Sequence, residues 1–114
     1  MSTLNMHGPY SLDTDTINKE VTNISPGNYA LGEDDANGEF EVKYVGRSDG
    51  DVNHRLRQWP QNTELKKFMY SYADTPQEAF EKECTDYHDF DPSHNENHPA
   101  QPDDTDLKCP VCNT

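Results

Sequence analysis

The chain has 114 residues, of which 31% are hydrophobic and 27% charged, and a formal net charge of −13. That length suits one domain with a small, concentrated core flanked by polar segments. Three cysteines exclude a fully paired disulfide framework, and no stretch approaches the ~20 apolar residues of a membrane span.

The opening residues lack a basic cluster followed by an apolar run, so no signal peptide is expected. A cytoplasmic, reducing setting is the default, and there a CxxC points to metal or redox chemistry. Across residues 1–25, Ile17 and Val21 are spaced i, i+4, and Asp13 or Thr14 can cap a short helix. This stretch reads as a lead-in, partly helical or flexible. Ser25-Pro26-Gly27 interrupts it, and a first strand follows from Asn28 to Gly32.

Asn37-Gly38 supplies the positive-φ positions of a hairpin turn. The second strand, Glu39 to Val45, alternates, with Phe40, Val42 and Tyr44 expected on one face. Gly46 ends it. Val52 to Trp59 reads as a helix with Val52, Leu56 and Trp59 on one side, stopped by Pro60. A third strand, Lys66 to Asp74, sets Phe68, Tyr70 and Tyr72 opposite Met69, Ser71 and Ala73. Thr75-Pro76-Gln77-Glu78 is a capping box with proline at the first helical position. The helix it opens runs to Phe90, carries Phe80, Cys84 and Tyr87 as its apolar stripe, and is closed by Pro92. Residues 93–106 read as loop. The expected fold is α+β, a small three-stranded antiparallel sheet flanked by helices, with a core at 26–95 and a tail at 96–114.

The acidic total alone argues against a nucleic-acid partner. Its distribution does not: residues 43–67 hold six of the nine basic residues against three acids, so that segment is +3 and the remainder −16. Lys43, Arg47, Arg55, Arg57, Lys66 and Lys67 make a locally basic stretch, with His54 inside it.

Several residues then fall into one pattern. Gly27-Asn28-Tyr29 and Tyr44-Val45-Gly46 lie on the two hairpin strands, Arg55 on the following helix, Ala79 and Glu83 on the last helix, and Pro92 and Asn95 beyond it. In that order and spacing, residues 26–95 resemble the GIY-YIG nuclease domain, with Asn28 departing from the first tripeptide. The resemblance implies a metal-dependent DNA endonuclease, hydrolysing phosphodiester bonds. Tyr29 would act as general base or water-orienting group, and Tyr44 would assist it across the hairpin. Arg55 would clamp the scissile phosphate, as a guanidinium fork suits two phosphate oxygens. Glu83 would hold one Mg²⁺ or Mn²⁺, hard cations that favour oxygen ligands. Asn95 would steady the site. Arg47, beside the second tyrosine, would lower that tyrosine's pKa. Arg47, His54, Arg57, Lys66 and Lys67 are the candidate phosphate contacts. DNA is the implied partner, with a protein partner supplying sequence specificity.

A second metal set is legible in the tail. Cys84 and His88 share a helix face at i, i+4, and Cys109 and Cys112 form a CPVC knuckle. Together they make a Cys₃His set suited to structural Zn²⁺, with His98 as alternative ligand and His94 a weaker one. Two other readings stand beside the nuclease: an inactive nucleic-acid- or protein-binding module of the same fold, and a zinc-stabilised interaction protein whose acidic surface meets a basic partner.

Overall fold

The computed structural model describes residues 5–90, 92–95, 99 and 107–111. The elements in chain order are β1 (His7–Ser11), α1 (Thr14–Glu20), β2 (Gly27–Asp34), β3 (Phe40–Ser48), α2 (Val52–Leu56), β4 (Lys67–Tyr72) and α3 (Pro76–Phe90). They form an α+β fold whose sheet has four strands in the order β1-β4-β2-β3, all pairs antiparallel. The three-stranded expectation is therefore corrected by one strand.

The extra strand is β1, which extends the sheet beyond β4. Its five residues contain Gly8 and Pro9, turn-formers that carry no two-residue alternation. Gly8 has φ +118, and a Cβ there would lie 3.0 Å from the Phe68 carbonyl oxygen. The pairing with β4 is irregular between His7 and Tyr10. The lead-in is thus woven into the fold: Leu12, Ile17 and Val21 are all buried. Asp13 caps α1, its side chain accepting from the Thr16 amide at 2.8 Å, the placement an N-terminal helix cap requires. Ile24, three residues beyond Val21, is 87% exposed.

The sheet is covered on both faces. Against one face α1 and α2 bury Leu12, Ile17, Val21, Tyr29, Leu31, Val52, Leu56 and Phe68 in a single cluster. On the other, Ala30 and Val45 pack with Met69, Tyr87 and Phe90, and Phe80, Cys84 and Cys109 form a further small group. Each large side chain so buried contributes about 1.5–3 kcal/mol, which is how a chain of low apolar content sustains a core.

The β2–β3 ladder is interrupted once. It runs Leu31↔Tyr44 and then Gly32↔Val42, leaving Lys43 as an extra residue. A one-residue slip exchanges the two faces of a strand. Phe40 and Val42 accordingly pack on the α3 side with Ala30 and Val45, while Tyr44 packs on the opposite cluster. The expectation that Phe40, Val42 and Tyr44 share a face is overturned by this bulge.

α2 is capped by Asp51, which accepts from Asn53 and His54 amides. It ends at Leu56, so Trp59 lies in the turn beyond it. Thr75 Oγ1 accepts from the Glu78 amide at 3.1 Å at the start of α3, and Glu78 accepts from the Asp74 amide at 3.2 Å. Among the described residues no helix is long and apolar enough to cross a membrane.

Candidate active site at the β2–β3 edge

Tyr29 lies mid-way along β2, directly opposite Gly46 of β3. Its ring crosses that glycine: a Cβ on Gly46 would come within 2.5 Å of both Tyr29 Cζ and the phenol oxygen. The glycine of Tyr44-Val45-Gly46 is therefore the space Tyr29 occupies. The Tyr29 hydroxyl accepts from Trp59 Nε1 at 3.0 Å, and the Arg55 guanidinium, whose Nη1 donates to Gln58 Oε1 at 3.2 Å, acts on it electrostatically. Tyr44 stacks on it with centroids 6.2 Å apart, and Trp59 lies 4.9 Å from the Tyr44 ring. The bulge at Lys43 is what turns Tyr44 to this face.

Electrostatics follow from burial. Tyr29 is 1% exposed, and burial, then the neighbouring Tyr44, push its phenol far above the ordinary tyrosine range, with Trp59 and Arg55 pulling the other way. Tyr44 is also raised, by burial and then by the negative charge of Glu83, with Arg55 opposing. The net shift of Tyr44 is upward, against the expected lowering, and Arg55 is the cation that opposes it. The Arg55 pKa is raised, first through Tyr29, with burial opposing. Among the described residues it pairs with no carboxylate.

Glu83 reaches the same edge from α3. Its Oε1 accepts from Arg47 Nη1 at 2.6 Å, with the two side chains 10% and 11% exposed. Arg47 Nε donates to Asp49 Oδ1 at 2.8 Å, and the guanidinium carbon lies 5.2 Å from the Phe80 ring centroid. Burial raises the Glu83 carboxyl, and Arg47 pulls it back. Arg47 stands opposite Asn28 in the ladder, and strand alternation gives both the α3 face. Asn28 is buried there, with its Nδ2 donating to the Ala79 carbonyl at 2.8 Å and its Oδ1 lacking a partner.

Asn95 completes the edge. Its Oδ1 accepts from the Val45 amide at 2.9 Å, and its Nδ2 donates to the Val45 carbonyl at 3.0 Å. The His94 amide donates to the Lys43 carbonyl at 2.8 Å. These bonds cover backbone groups that β3, the edge strand, would otherwise leave open.

The structure thus gathers Tyr29, Tyr44, Arg55, Glu83, Arg47 and Asn95. It does not gather the rest of the basic stretch. Arg57 turns toward α1, its Nε donating to Asn53 Oδ1 at 2.6 Å, and lines a cleft of about 370 Å³ with Asn18, Thr22 and Ile24. His54 is exposed beside Gln58. Lys67 pairs with Asp34 at 2.9 Å at the hairpin end of the sheet, three residues along β4 from Tyr70, the partner of Tyr29. Lys66 is exposed next to it. Sequence reading missed two members: Trp59, assigned to packing alone, and Asp49, given no role. Trp59 bonds a tyrosine 30 residues earlier, and Asp49 matters only through the Arg47–Glu83 pair, so no local spacing signals either.

Midway along α3, Cys84 packs with Cys109 and Phe80 in a buried cluster, and burial, then Cys109, pushes the Cys84 thiol well above the ordinary range. Cys84 is 0% and Cys109 1% exposed. His88, one turn beyond Cys84, sets its ring edge-on to Tyr87 at 5.3 Å. Cys112 and His98 lie outside the described residues, among which no cluster of three His, Cys, Asp or Glu side chains could hold a metal.

No family model matches the chain, and comparisons with curated proteins and with solved structures likewise give no match.

Proposed function

We propose that the chain is a metal-dependent endonuclease of the GIY-YIG type, hydrolysing phosphodiester bonds in DNA. The observation that carries this reading is the convergence of Tyr29, Tyr44 and Arg55 from one face with Glu83 from the other, at the strand edge that Asn95 braces. Arg55 has no carboxylate partner among the described residues and is placed to bind two oxygens of a phosphate in a fork. Tyr29 stays a neutral phenol at ordinary pH, because burial disfavours its anion. It therefore orients an attacking water through its hydroxyl, and would accept that water's proton only from its phenolate form, the form that the Arg55 charge favours. A divalent ion at Glu83 would supply hard positive charge to the phosphate oxygens. A single carboxylate beside the cluster suits Mg²⁺ or Mn²⁺, which keep several waters and take substrate phosphate as ligand.

Incubation with branched, single-stranded and duplex DNA, with Mg²⁺ or Mn²⁺ and with EDTA, tests the assignment. Cleavage should require the ion and fall by at least about 100-fold in Glu83→Ala and Tyr29→Phe. Cleavage indifferent to both substitutions would remove the site.

A second reading is a catalytically inactive nucleic-acid- or protein-binding module of the same fold. It is favoured by Glu83 already pairing with Arg47 and by the Tyr29 hydroxyl already accepting from Trp59. Salt-sensitive DNA binding without cleavage, weakened in Arg55→Ala, would establish it.

A zinc staple between α3 and the tail accompanies either reading. It is supported by Cys84 and Cys109, distant in the chain, meeting thiol to thiol in a buried position. Cys112 and His88 would complete a Cys₃His set, and zinc would hold the thiols as thiolates against the desolvation that raises them. Elemental analysis should give about one zinc per chain; a stoichiometry near zero after chelator-free purification would exclude it.

A further inference from the structure

Glu83 is the residue through which the proposed function takes its divalent ion, and in this structure its charge is already balanced. The Arg47 guanidinium sits between two carboxylates, Glu83 at 2.6 Å and Asp49 at 2.8 Å, and rests on the Phe80 ring. It is the only basic group in hydrogen-bonding contact with Glu83 among the described residues. The pair is almost wholly shielded from water, where a charge–charge contact is strong and a lone charge is costly. Two positive charges cannot share the same carboxylate oxygen at full strength. Asp49 is the more exposed partner, at 41% against 10% for Glu83, so a guanidinium that leaves Glu83 still has a carboxylate beside solvent to hold it.

Resting on that reading of Glu83, we propose that Arg47 is a built-in competitor for the metal site. Its guanidinium occupies the seat of the divalent ion and must swing onto Asp49 for the ion to bind. The site is then closed in the absence of metal, and metal binding frees the Arg47 guanidinium on the α3 side of the site. Arg47 is in this account a positioning residue rather than a catalytic one.

The test is Mn²⁺ binding by the full-length chain, read by electron paramagnetic resonance of the free ion, with no DNA present. Arg47→Met keeps the contact with Phe80 and removes the competing charge. It should bind Mn²⁺ about ten- to a hundredfold more tightly than wild type, the equivalent of one charge-assisted hydrogen bond. Arg47→Lys, which keeps a charge but loses the fork, should fall between them, and guards against a Met variant that fails to fold. Glu83→Gln should bind no Mn²⁺ in either background. Equal affinity of wild type, Arg47→Lys and Arg47→Met, with binding still abolished by Glu83→Gln, would overturn the competitor role and leave the nuclease reading intact. Absence of Mn²⁺ binding in every variant would overturn both.

Discussion

Gly46→Ala isolates the contact on which the tyrosine cluster depends. The added methyl would lie 2.5 Å from Tyr29 Cζ and 2.5 Å from its hydroxyl oxygen, well inside the ~3.5–4.0 Å at which carbon atoms pack. The Tyr29 ring cannot rotate aside freely, since Trp59 bonds its hydroxyl and Tyr44 covers its face. Either the ring is forced off its rotamer or β2 and β3 part, and overpacking of this kind costs about 1–3 kcal/mol. At about 4 °C per kcal/mol for a domain of this size, Tm should drop by about 4–12 °C. Trp59 is the single tryptophan, so its emission reports both the native contact with Tyr29 and the urea unfolding midpoint. Gly50→Ala provides the comparison, because a Cβ at Gly50 meets nothing within 4 Å, and it should leave midpoint and emission unchanged within about 0.5 kcal/mol. If Gly46→Ala behaves like Gly50→Ala in both readouts, the Tyr29 ring does not lie across Gly46 and the tyrosine cluster is not built in this way.

Three further outcomes are expected. Asn95→Ala removes both bonds to Val45, which should cost about 1–2 kcal/mol and speed hydrogen exchange at the Val45 amide ahead of the Ala30 amide. Asp86, 2% exposed, is pushed up to about 6 by burial, with Lys82 opposing and Asp89 adding. A carboxyl raised on folding contributes stability that is present below its unfolded value of 3.8 and lost as pH rises through about 6. Asp86→Asn should therefore match wild type at pH ~3.5 and exceed it by up to about 3 kcal/mol at pH ~8; denaturant midpoints compared across pH read the difference, and a gap that does not grow between those limits refutes the assignment. Cys109→Ser should lower Tm in zinc-loaded protein by much more than in protein stripped with chelator, whereas equal losses in both would mean that Cys109 acts through packing on Phe80 and Cys84 alone.

How much of the fold and site was legible in the sequence depended on whether each signal was local. The caps at Asp13 and Thr75, the two hairpin strands and the apolar face of α3 all follow from residues within one turn or one strand. β1 escaped because Gly8 and Pro9 read as punctuation, and a five-residue edge strand has too few positions to show a period. The face of Tyr44 escaped for a different reason. Phe40, Val42 and Tyr44 alternate perfectly, and only the pairing with β2 reveals that Lys43 is skipped. The same is true of Glu83: the family resemblance implied a metal ligand there, but its guanidinium partner lies 36 residues earlier.

Asn28 shows how a departure from a pattern can leave the tyrosine cluster unchanged. The residue before Tyr29 in β2 points to the opposite side of the sheet, where its amide bonds the Ala79 carbonyl on α3. That carbonyl lies inside the helix and has its own partner from the amide four residues on, so Asn28 is not needed to satisfy it. An apolar residue of similar size at this position would lose one modest bond and remove a buried oxygen that has none, an exchange close to neutral. The mismatch therefore changes the packing of α3 and leaves the Tyr29 face untouched. What distinguishes this site from a simple aromatic hairpin is instead the set of long-range placements: the skipped Lys43 that turns Tyr44, the vacant side of Gly46 that admits Tyr29, and the Arg47 that waits on Glu83.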